Sequence, residues 1–316
     1  MKTLVSTKDL SREDWLKWRK KGIGGSDAGA IAGVNPWRSA MEVYYDKTHP
    51  DEIEDRDSEA MRQGRDLEDY VAKRFEEATG KKVRRRNALL QHDTKPWMLA
   101  DIDREVIGEK AVLECKTTNA WNEKEWDGEE IPPSYLVQVL HYLAVTGYDR
   151  AYIACVILGR GFEMRTIERE EYADTIAALE DIEERFWKEN IEQGVMPDPD
   201  GSKAADNVIR DLYPQAEPGQ EVVIEDIDLD EYDRICAQIK RLTKEKGEIE
   251  ETIKIEMKDA ETAYIGDRRI TWKNRSGSKT IDRKKLQSEM PDVYEKYLKV
   301  GKPSRVFKVQ EEKEEA

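Results

Sequence analysis

Cysteine, histidine and long apolar runs are all scarce in this chain of 316 residues. Its three cysteines are odd in number and far apart, which predicts neither a disulfide framework nor a zinc site. The three histidines form no recognisable triad with a nucleophile, so acyl-transfer chemistry has little support. The longest apolar run, residues 151–158, is too short to span a bilayer, and we expect no cleavable secretory segment. The chain is therefore expected to be cytoplasmic, without membrane contact.

An excess of positive charge is also absent. With 53 basic and 68 acidic residues, the formal net charge is -15, which argues against a protein that coats nucleic acid through a general basic surface. An enzyme that binds DNA in a local basic groove is not excluded, and residues 81–86 form such a local cluster. The acidic end, residues 311–315, is expected to be a solvated, disordered tail.

Residues 110–117 are predicted to form a strand that carries a carboxylate and an ammonium two positions apart. Side chains i and i+2 of a strand share a face, so Glu114 and Lys116 project together, opposite Leu113 and Cys115. Charged groups are rarely placed in an apolar strand unless they are paired or liganded. Carboxylates that hold a hard cation beside a lysine suit metal-assisted hydrolysis of a phosphodiester, so a nuclease is the leading hypothesis.

A second carboxylate is expected from a strand over residues 97–106. Asp101 and Asp103 would share one face of it, and periodicity does not choose between them. Asp103, Glu114 and the Cys115 carbonyl would then hold one Mg²⁺, which usually keeps several waters. Lys116 would orient the attacking water and lower the pKa of that water. The alternative role is a salt bridge to Glu114 or Asp103, and the two roles are compatible.

A third carboxylate, Glu68, interrupts the apolar side of a helix predicted over residues 58–79. A carboxylate at such a position needs a cation or a hydrogen-bond donor. Glu68 would meet either a second metal ion or its bound water, or an arginine such as Arg65 or Arg62.

Four further polar residues are candidates for the same site. Gln138 and Tyr142 share a face of a helix predicted over residues 133–146, where either would orient water or phosphate. Arg19 and Ser26 flank a glycine-rich turn that enters a helix, and backbone amides at such a helix start favour phosphate. An ordinary helix cap at Ser26 and a solvated helix face at Gln138 are the plain alternatives.

The element order predicts an α/β (α+β) fold with a mixed sheet. The composition changes at residues 194–201, which suggests a core domain over 1–200 and a mainly helical extension over 201–316. In the extension we expect a helical hairpin or coiled-coil-like segment over residues 228–258, a short β-ribbon over 262–272 and a terminal helix near 282–299.

These motifs occur together, in one order, in a known family. The chain resembles the YqaJ-type viral recombinases, phage and prophage exonucleases similar to lambda exonuclease, over about residues 10 to 190. The matching segments are Gly22-Ile23-Gly24-Gly25-Ser26-Asp27-Ala28, Gly64 with Leu67-Glu68, Ile102-Asp103-Arg104, Leu113-Glu114-Cys115-Lys116-Thr117-Thr118, and Gln138 with Tyr142.

The resemblance implies a PD-(D/E)xK restriction-endonuclease-like core, with a central mixed sheet flanked by helices. It implies digestion of one strand of linear duplex DNA from 5′ to 3′, with two Mg²⁺ ions (or Mn²⁺ in their place), to give 3′ overhangs for a cognate single-strand annealing protein. It selects Asp103 over Asp101. It makes Glu68, Asp103, Glu114, Lys116 and Gln138 catalytic, with Tyr142 in support and Cys115 among the metal-site residues. Arg19 and Ser26 would hold the 5′-terminal phosphate. A ring-shaped homotrimer, encoded by a phage or prophage and working in the bacterial cytoplasm, is also implied.

Two other functions stay open on sequence grounds. One is a structure- or sequence-specific endonuclease of the same fold, which would cut covalently closed circular DNA. The other is a recombination module that binds DNA ends without catalysis, which the intact Asp103, Glu114 and Lys116 disfavour.

Overall fold

The structure, a computed structural model, describes residues 1–51, 58–299, 301 and 304–310. The acidic tail expected over residues 311–315 lies outside the described residues. The chain divides into two compact units, Met1–Pro214 and Gln215–Ala316. The domain boundary expected at residue 200 stays a prediction. Among the described residues, no helix has the length and apolar character needed to cross a membrane.

The first unit contains seven α-helices and eight strands among its described residues. The helices are α1 Arg12–Arg19, α2 Gly25–Ile31, α3 Ala40–Thr48, α4 Glu59–Thr79, α5 Pro133–Thr146, α6 Ala173–Arg185 and α7 Lys203–Leu212. The strands are β1 Lys2–Ser6, β2 Val83–Arg84, β3 Ala88–Gln91, β4 Leu99–Ala100, β5 Arg104–Val106, β6 Ala111–Thr118, β7 Arg150–Ile157 and β8 Gly161–Glu168. Short 3-10 turns at Ala120–Trp126 and Arg169–Tyr172 and a π-helical turn at Phe186–Ile191 complete it.

A five-stranded mixed sheet in the order β2-β5-β6-β7-β8 forms the centre of this unit. Strands β6 and β7 are parallel, and the other neighbours are antiparallel. Helix α4 packs on one face, where Val71 and Phe75 join Leu113 in a buried apolar cluster. Helix α5 packs on the other face, where Val139 and Leu143 join a larger core cluster. The predicted mixed α/β fold with a central mixed sheet is confirmed.

Two extended segments, residues 83–91 and the predicted strand over residues 97–106, are each divided between two sheets. Residues 83–91 form β2 in the central sheet and β3 in a smaller sheet, β1-β3-β4, because Asn87 adopts a left-handed conformation with φ 47° between them. Residues 97–106 divide into β4 and β5. The predicted strand face shared by Asp101 and Asp103 is therefore wrong, since both lie in the connection between β4 and β5.

Other boundaries differ from the expectations in smaller ways. Helix α6 does not continue as an α-helix beyond Arg185, where the π-helical turn follows it. Helix α7, beyond the boundary expected at residue 200, packs against α3 in the first unit.

The second unit contains the long helix α8, Leu229–Met257, one continuous helix over the segment expected to be a helical hairpin or coiled-coil-like. Of its apolar residues, Ile239 is 59% and Ile249 62% exposed, whereas Met257 at its end is buried. Strands β9 Thr262–Ile265 and β10 Arg268–Thr271 form the predicted two-stranded ribbon. The predicted terminal helix is two helices, α9 Arg283–Glu289 and α10 Pro291–Tyr297, because Pro291 cannot continue a preceding helix.

Candidate active site

Asp103 lies at the point where β5 begins and its neighbour β6 continues. Strand β5 pairs with β6 from Arg104 opposite Leu113 onward, so the next free backbone amide on that edge of β6 belongs to Cys115. The Asp103 carboxylate accepts that amide at 2.7 Å. The N–H and C=O of a strand residue point to the same edge, which places the Cys115 carbonyl on the Asp103 side.

Glu114 and Lys116 project from one face of β6, as predicted, toward helix α5. Their side chains form an ion pair of 2.7 Å. Gln138 of α5 completes a triangle, because its amide nitrogen donates to Glu114 Oε1 at 2.7 Å and its Oε1 accepts from Lys116 Nζ at 2.8 Å. The second carboxylate oxygen of Glu114, Oε2, is buried and accepts no hydrogen bond from the described part of the chain. A buried carboxylate oxygen without a partner costs free energy unless a cation or another donor reaches it.

Two pKa values in this cluster are raised, those of Asp103 and Lys116. The shift favours the neutral form of the acid and the charged form of the amine. Burial and the carboxylates of Glu114 and Glu68 raise the pKa of Asp103 well above its usual value. Burial opposes the charge of Lys116, but Glu114 and Asp103 outweigh it and raise the pKa of the ammonium. Lys116 is therefore a cation at neutral pH, while burial and the neighbouring carboxylates disfavour the negative charge of Asp103.

Glu68 is held by arginines. Its carboxylate forms an ion pair with Arg104, which also binds Asp69 and the carbonyl oxygen of Asp103. Arg85 approaches Glu68 at 4.0 Å. The expected cation beside Glu68 is therefore present, but it is Arg104 and not the expected Arg62 or Arg65. Arg104 belongs to the matched segment Ile102-Asp103-Arg104, although no role was predicted for it.

Tyr142 and Asp101 line the same cleft. The Tyr142 hydroxyl accepts from the Gln138 amide at 3.0 Å, and burial beside Glu114 and Asp103 raises the pKa of Tyr142 well above its usual value. Asp101, the alternative to Asp103, accepts from the Trp15 indole N–H at 2.7 Å. Asp101 thus has a partner on α1, whereas Asp103 accepts from the Cys115 amide of β6.

The glycine-rich turn brings Arg19 and Ser26 together at 2.8 Å, between Arg19 Nη2 and Ser26 Oγ. The Arg19 guanidinium also stacks over the Trp15 ring, 4.7 Å from its centroid. Ser26 is not the helix cap, because Gly24 occupies that position at the start of α2. The alternative that Ser26 is an ordinary helix cap is therefore wrong.

A buried ion cluster that the sequence analysis missed holds this turn. Asp27 is 1% exposed, and it accepts from Lys47 Nζ at 2.8 Å, from Arg38 and from the Gly24 amide. Lys47 also donates to the carbonyl oxygen of Arg19 at 3.0 Å. Burial alone would raise the pKa of Asp27, but Lys47 and Arg38 outweigh it and hold the pKa below its usual value. The signal in the sequence was the capping position of Asp27, three residues after Gly24.

Most of these groups line one cleft of about 440 Å³. It is lined by the predicted residues Arg19, Ser26, Glu68, Asp103, Gln138 and Tyr142, together with Trp15, Arg65, Arg85, Asp101 and Arg104 among others. Glu114 and Lys116 adjoin it through their hydrogen bonds to Gln138.

The donor set suits a hard cation held by few protein ligands. Among the described residues, no three His, Cys, Asp or Glu side chains are grouped so that they could hold a metal ion. Two carboxylates, Asp103 and Glu114, and the Cys115 carbonyl fit the sparse all-oxygen set that Mg²⁺ accepts. Burial and nearby carboxylates raise the pKa of the Cys115 thiol well above its usual value, so its sulfur is no ligand. The unpartnered Glu114 Oε2 is the observation that fits a cation here.

Comparison with known proteins identifies the family. Residues 14–149 match the model of a family described as the YqaJ-like viral recombinase domain. A Bacillus subtilis (strain 168) protein, the uncharacterized protein YqaJ, is 44% identical over 301 residues, covering 94% of this chain and 93% of that protein. The chain belongs to the YqaJ-like viral recombinase family.

The YqaJ-family chain is also similar to solved structures. The crystal structure of LHK-Exo in complex with dAMP matches with a TM-score of 0.50 and 21% identity, covering 58% of this chain and 94% of that one. The structure of the alkaline exonuclease LHK-Exo from Laribacter hongkongensis matches with a TM-score of 0.49 and 20% identity over the same shares. The first of these likenesses shows that the YqaJ-family chain shares the fold of LHK-Exo.

Proposed function

We propose that this YqaJ-family protein is a Mg²⁺-dependent exonuclease that digests one strand of linear duplex DNA from 5′ to 3′. The observation that carries the proposal is the cluster of Asp103, Glu114 and Lys116, joined by Gln138, beside a buried carboxylate oxygen that lacks a partner. The family assignment supports a role in recombination, and the name of the structural relative LHK-Exo supports exonuclease chemistry.

Each residue has a defined task in this proposal. Asp103, Glu114 and the Cys115 carbonyl hold Mg²⁺, with Mn²⁺ as a substitute, and Glu68 helps to hold a second ion once Arg104 releases it. The ions, when bound, neutralise the phosphate and make water a better nucleophile. Lys116 stays protonated and donates to the attacking water, because an ammonium has no lone pair with which to take a proton. Gln138 fixes the positions of Glu114 and Lys116, and Tyr142 supports Gln138.

The end of the DNA strand is recognised by the turn before α2. Arg19 and Ser26 bind the 5′-terminal phosphate through a guanidinium and a hydroxyl, both suited to phosphate oxygens. This contact sets the polarity of digestion and leaves 3′ overhangs. In the same proposal a cognate annealing protein takes these overhangs, and the phage- or prophage-encoded enzyme encircles DNA as a ring-shaped homotrimer in the bacterial cytoplasm.

The decisive experiment uses one linear duplex and one covalently closed circular duplex, each incubated with the full chain and Mg²⁺. The linear duplex carries a free 5′-terminal phosphate and different fluorophores on the bases of the 5′ and 3′ terminal nucleotides of one strand. Early release of the 5′ label as a mononucleotide, late release of the 3′ label and an intact circle are expected. Glu114→Gln, purified in parallel, excludes a contaminating nuclease.

The other outcomes identify the alternatives. Cutting of the closed circle would assign an endonuclease. Binding of linear DNA without release of either label would assign a non-catalytic end-binding module.

A further inference from the structure

The strongest excess of positive charge in this acidic chain lies outside the cleft, in the second unit. Residues 268–285, which we call the basic segment, contain eight basic residues and one acidic residue, in a chain with a net charge of -15. The eight are Arg268, Arg269, Lys273, Arg275, Lys279, Arg283, Lys284 and Lys285. So local an excess, set against the sign of the whole chain, is the electrostatic footprint of a polyanion site.

The basic cluster near the cleft does not supply comparable free charge. Lys81 pairs with Glu109, Lys82 with Glu76, and Arg84 and Arg86 with Glu105, while Arg85 pairs with Asp69. Each of these cations is thus paired with a carboxylate of its own fold, with Glu105 shared by Arg84 and Arg86, so a DNA phosphate must compete with that carboxylate for it.

The basic segment differs in this respect. Among the described residues, its cations form no ion pair except Lys285, which lies 3.8 Å from Glu289. All eight side chains are exposed. Their charge is therefore available to phosphates without first breaking an internal pair.

Aromatic side chains lie beside these cations. On the ribbon, Tyr264 of β9 is directly opposite Arg269 of β10, and Tyr264 is 71% exposed. Trp272, 49% exposed, directly precedes Lys273. Exposed rings between free cations are a platform on which unpaired bases stack while the cations follow the backbone. Bases within a duplex are already stacked on each other and have no face to offer.

We propose that the basic segment and Tyr264 form a second nucleic-acid site, which binds single-stranded DNA independently of the catalytic cleft. Binding itself needs neither hydrolysis nor metal. The choice of DNA over RNA rests on the proposed function, since both carry phosphates and bases.

The test measures binding of the full chain to covalently closed circular single-stranded DNA in EDTA over a range of NaCl concentrations. A circle has no end for the cleft to bind, and without metal no digestion occurs. The variant is Arg275→Gln/Lys279→Gln/Lys284→Gln. Its matched control is Arg241→Gln/Lys244→Gln/Lys246→Gln on α8, which changes the net charge equally but removes cations that already pair with Glu245, Glu248 and Glu250.

The basic-segment variant should lose about two units of the log–log salt slope, at about 0.7 per lost phosphate contact, and bind about tenfold more weakly at moderate salt. The control should stay within about twofold of the natural chain. Unchanged slope and affinity in the variant, or an equal loss in the control, would overturn the proposal. Because all exchanged residues are exposed, circular dichroism should show unchanged folding in both.

A second variant tests the stacking role separately. Tyr264→Leu should weaken binding to the single-stranded circle about tenfold and leave the weaker binding to a closed duplex circle unchanged. Equal losses on both circles would overturn the single-strand assignment. Tighter binding to an RNA of the same sequence would overturn the choice of DNA. Neither result depends on nuclease activity, so failure here leaves the proposed exonuclease untouched.

Discussion

Gly25 packs directly against the ring of Tyr142, so that a Cβ added at Gly25 would lie 2.6 Å from Tyr142 Cε1. It would also lie 2.9 Å from Cγ of Gln138. The turn that carries Arg19 and Ser26 therefore packs against the helix that carries Gln138. The spacing between the proposed phosphate site and the proposed metal site depends on this missing side chain.

Gly25→Ala should therefore impair catalysis more than folding. Tyr142 is buried and cannot swing away, so the start of α2 must shift, and overpacking of this kind costs about 1–3 kcal/mol. We expect a fall in kcat of at least about tenfold, since small displacements of positioned groups are costly in catalysis. Initial rates on linear duplex and urea unfolding measure the two effects.

Gly247→Ala is the matched control for this change. Gly247 lies in the exposed helix α8, where an added Cβ meets nothing within 4 Å. Alanine there should stabilise the helix by about 0.5–1 kcal/mol and leave activity unchanged. Full activity in Gly25→Ala would show that the turn and α5 move independently.

Glu114→Gln should abolish cleavage while it leaves the protein folded. The amide keeps the shape of the carboxylate; it removes a charge that raises the pKa of Asp103, and it also removes the charged partner of Lys116, so the two effects on stability oppose each other. Loss of about 10²-fold or more in rate, with the circular dichroism spectrum of the natural chain, is expected. Lys116→Gln should be equally inactive. Appreciable cleavage by either variant would end the assignment of the β6 residues.

Arg19→Gln should remove the preference for a phosphorylated 5′ end. The natural chain should digest a 5′-phosphorylated duplex faster than the matched 5′-hydroxyl duplex, because a guanidinium contacts the terminal phosphate. The ratio of the two initial rates should approach one in Arg19→Gln, and Ser26→Ala should lower it less, since a neutral hydroxyl contributes a weaker hydrogen bond. An unchanged ratio in Arg19→Gln would place the phosphate elsewhere.

Much of the site could be predicted from sequence because residues of one strand or one helix share a face at a fixed spacing. Alternation along β6 predicted that Glu114 and Lys116 share a face, and helical spacing predicted the common face of Gln138 and Tyr142. Both follow from backbone geometry within one element. The order of the segments then led to the family.

Relations between elements were not predictable in this way. The partner of Glu68 is Arg104, which lies 36 positions away in sequence. The division of residues 97–106 into two strands accompanies side-chain hydrogen bonds of Asp101 and Asp103 to Trp15 and Cys115, which lie in other elements. The contact of Gly25 with Tyr142 and the cluster around Asp27 likewise depend on how α2, α3 and α5 pack. Periodicity reports which face a residue occupies, not which residue meets it there.

The buried pair of His141 and Glu183 should make the stability of the first unit depend on pH. Both residues are 0% exposed, and the two imidazole nitrogens face acceptors, Glu183 Oε1 at 2.8 Å and the carbonyl oxygen of Leu99 at 2.7 Å. Two acceptors require two N–H donors, so the ring is an imidazolium. Burial alone would lower the pKa of His141, but the charge and hydrogen bond of Glu183 outweigh it and raise the pKa above 6.5.

A group whose pKa is higher in the folded state stabilises the fold fully below its unfolded pKa and loses that contribution as the pH rises through the folded value. The free energy of unfolding should therefore fall above pH 6.5, by at most about 1.4 kcal/mol per pH unit. Urea unfolding followed by tryptophan fluorescence reports it, since seven of the eight tryptophans lie in the first unit. Glu183→Gln removes the charge that holds the proton, so it should be less stable at pH 6.5 and lose this slope. An equal slope in Glu183→Gln and the natural chain would assign the pH dependence to other groups.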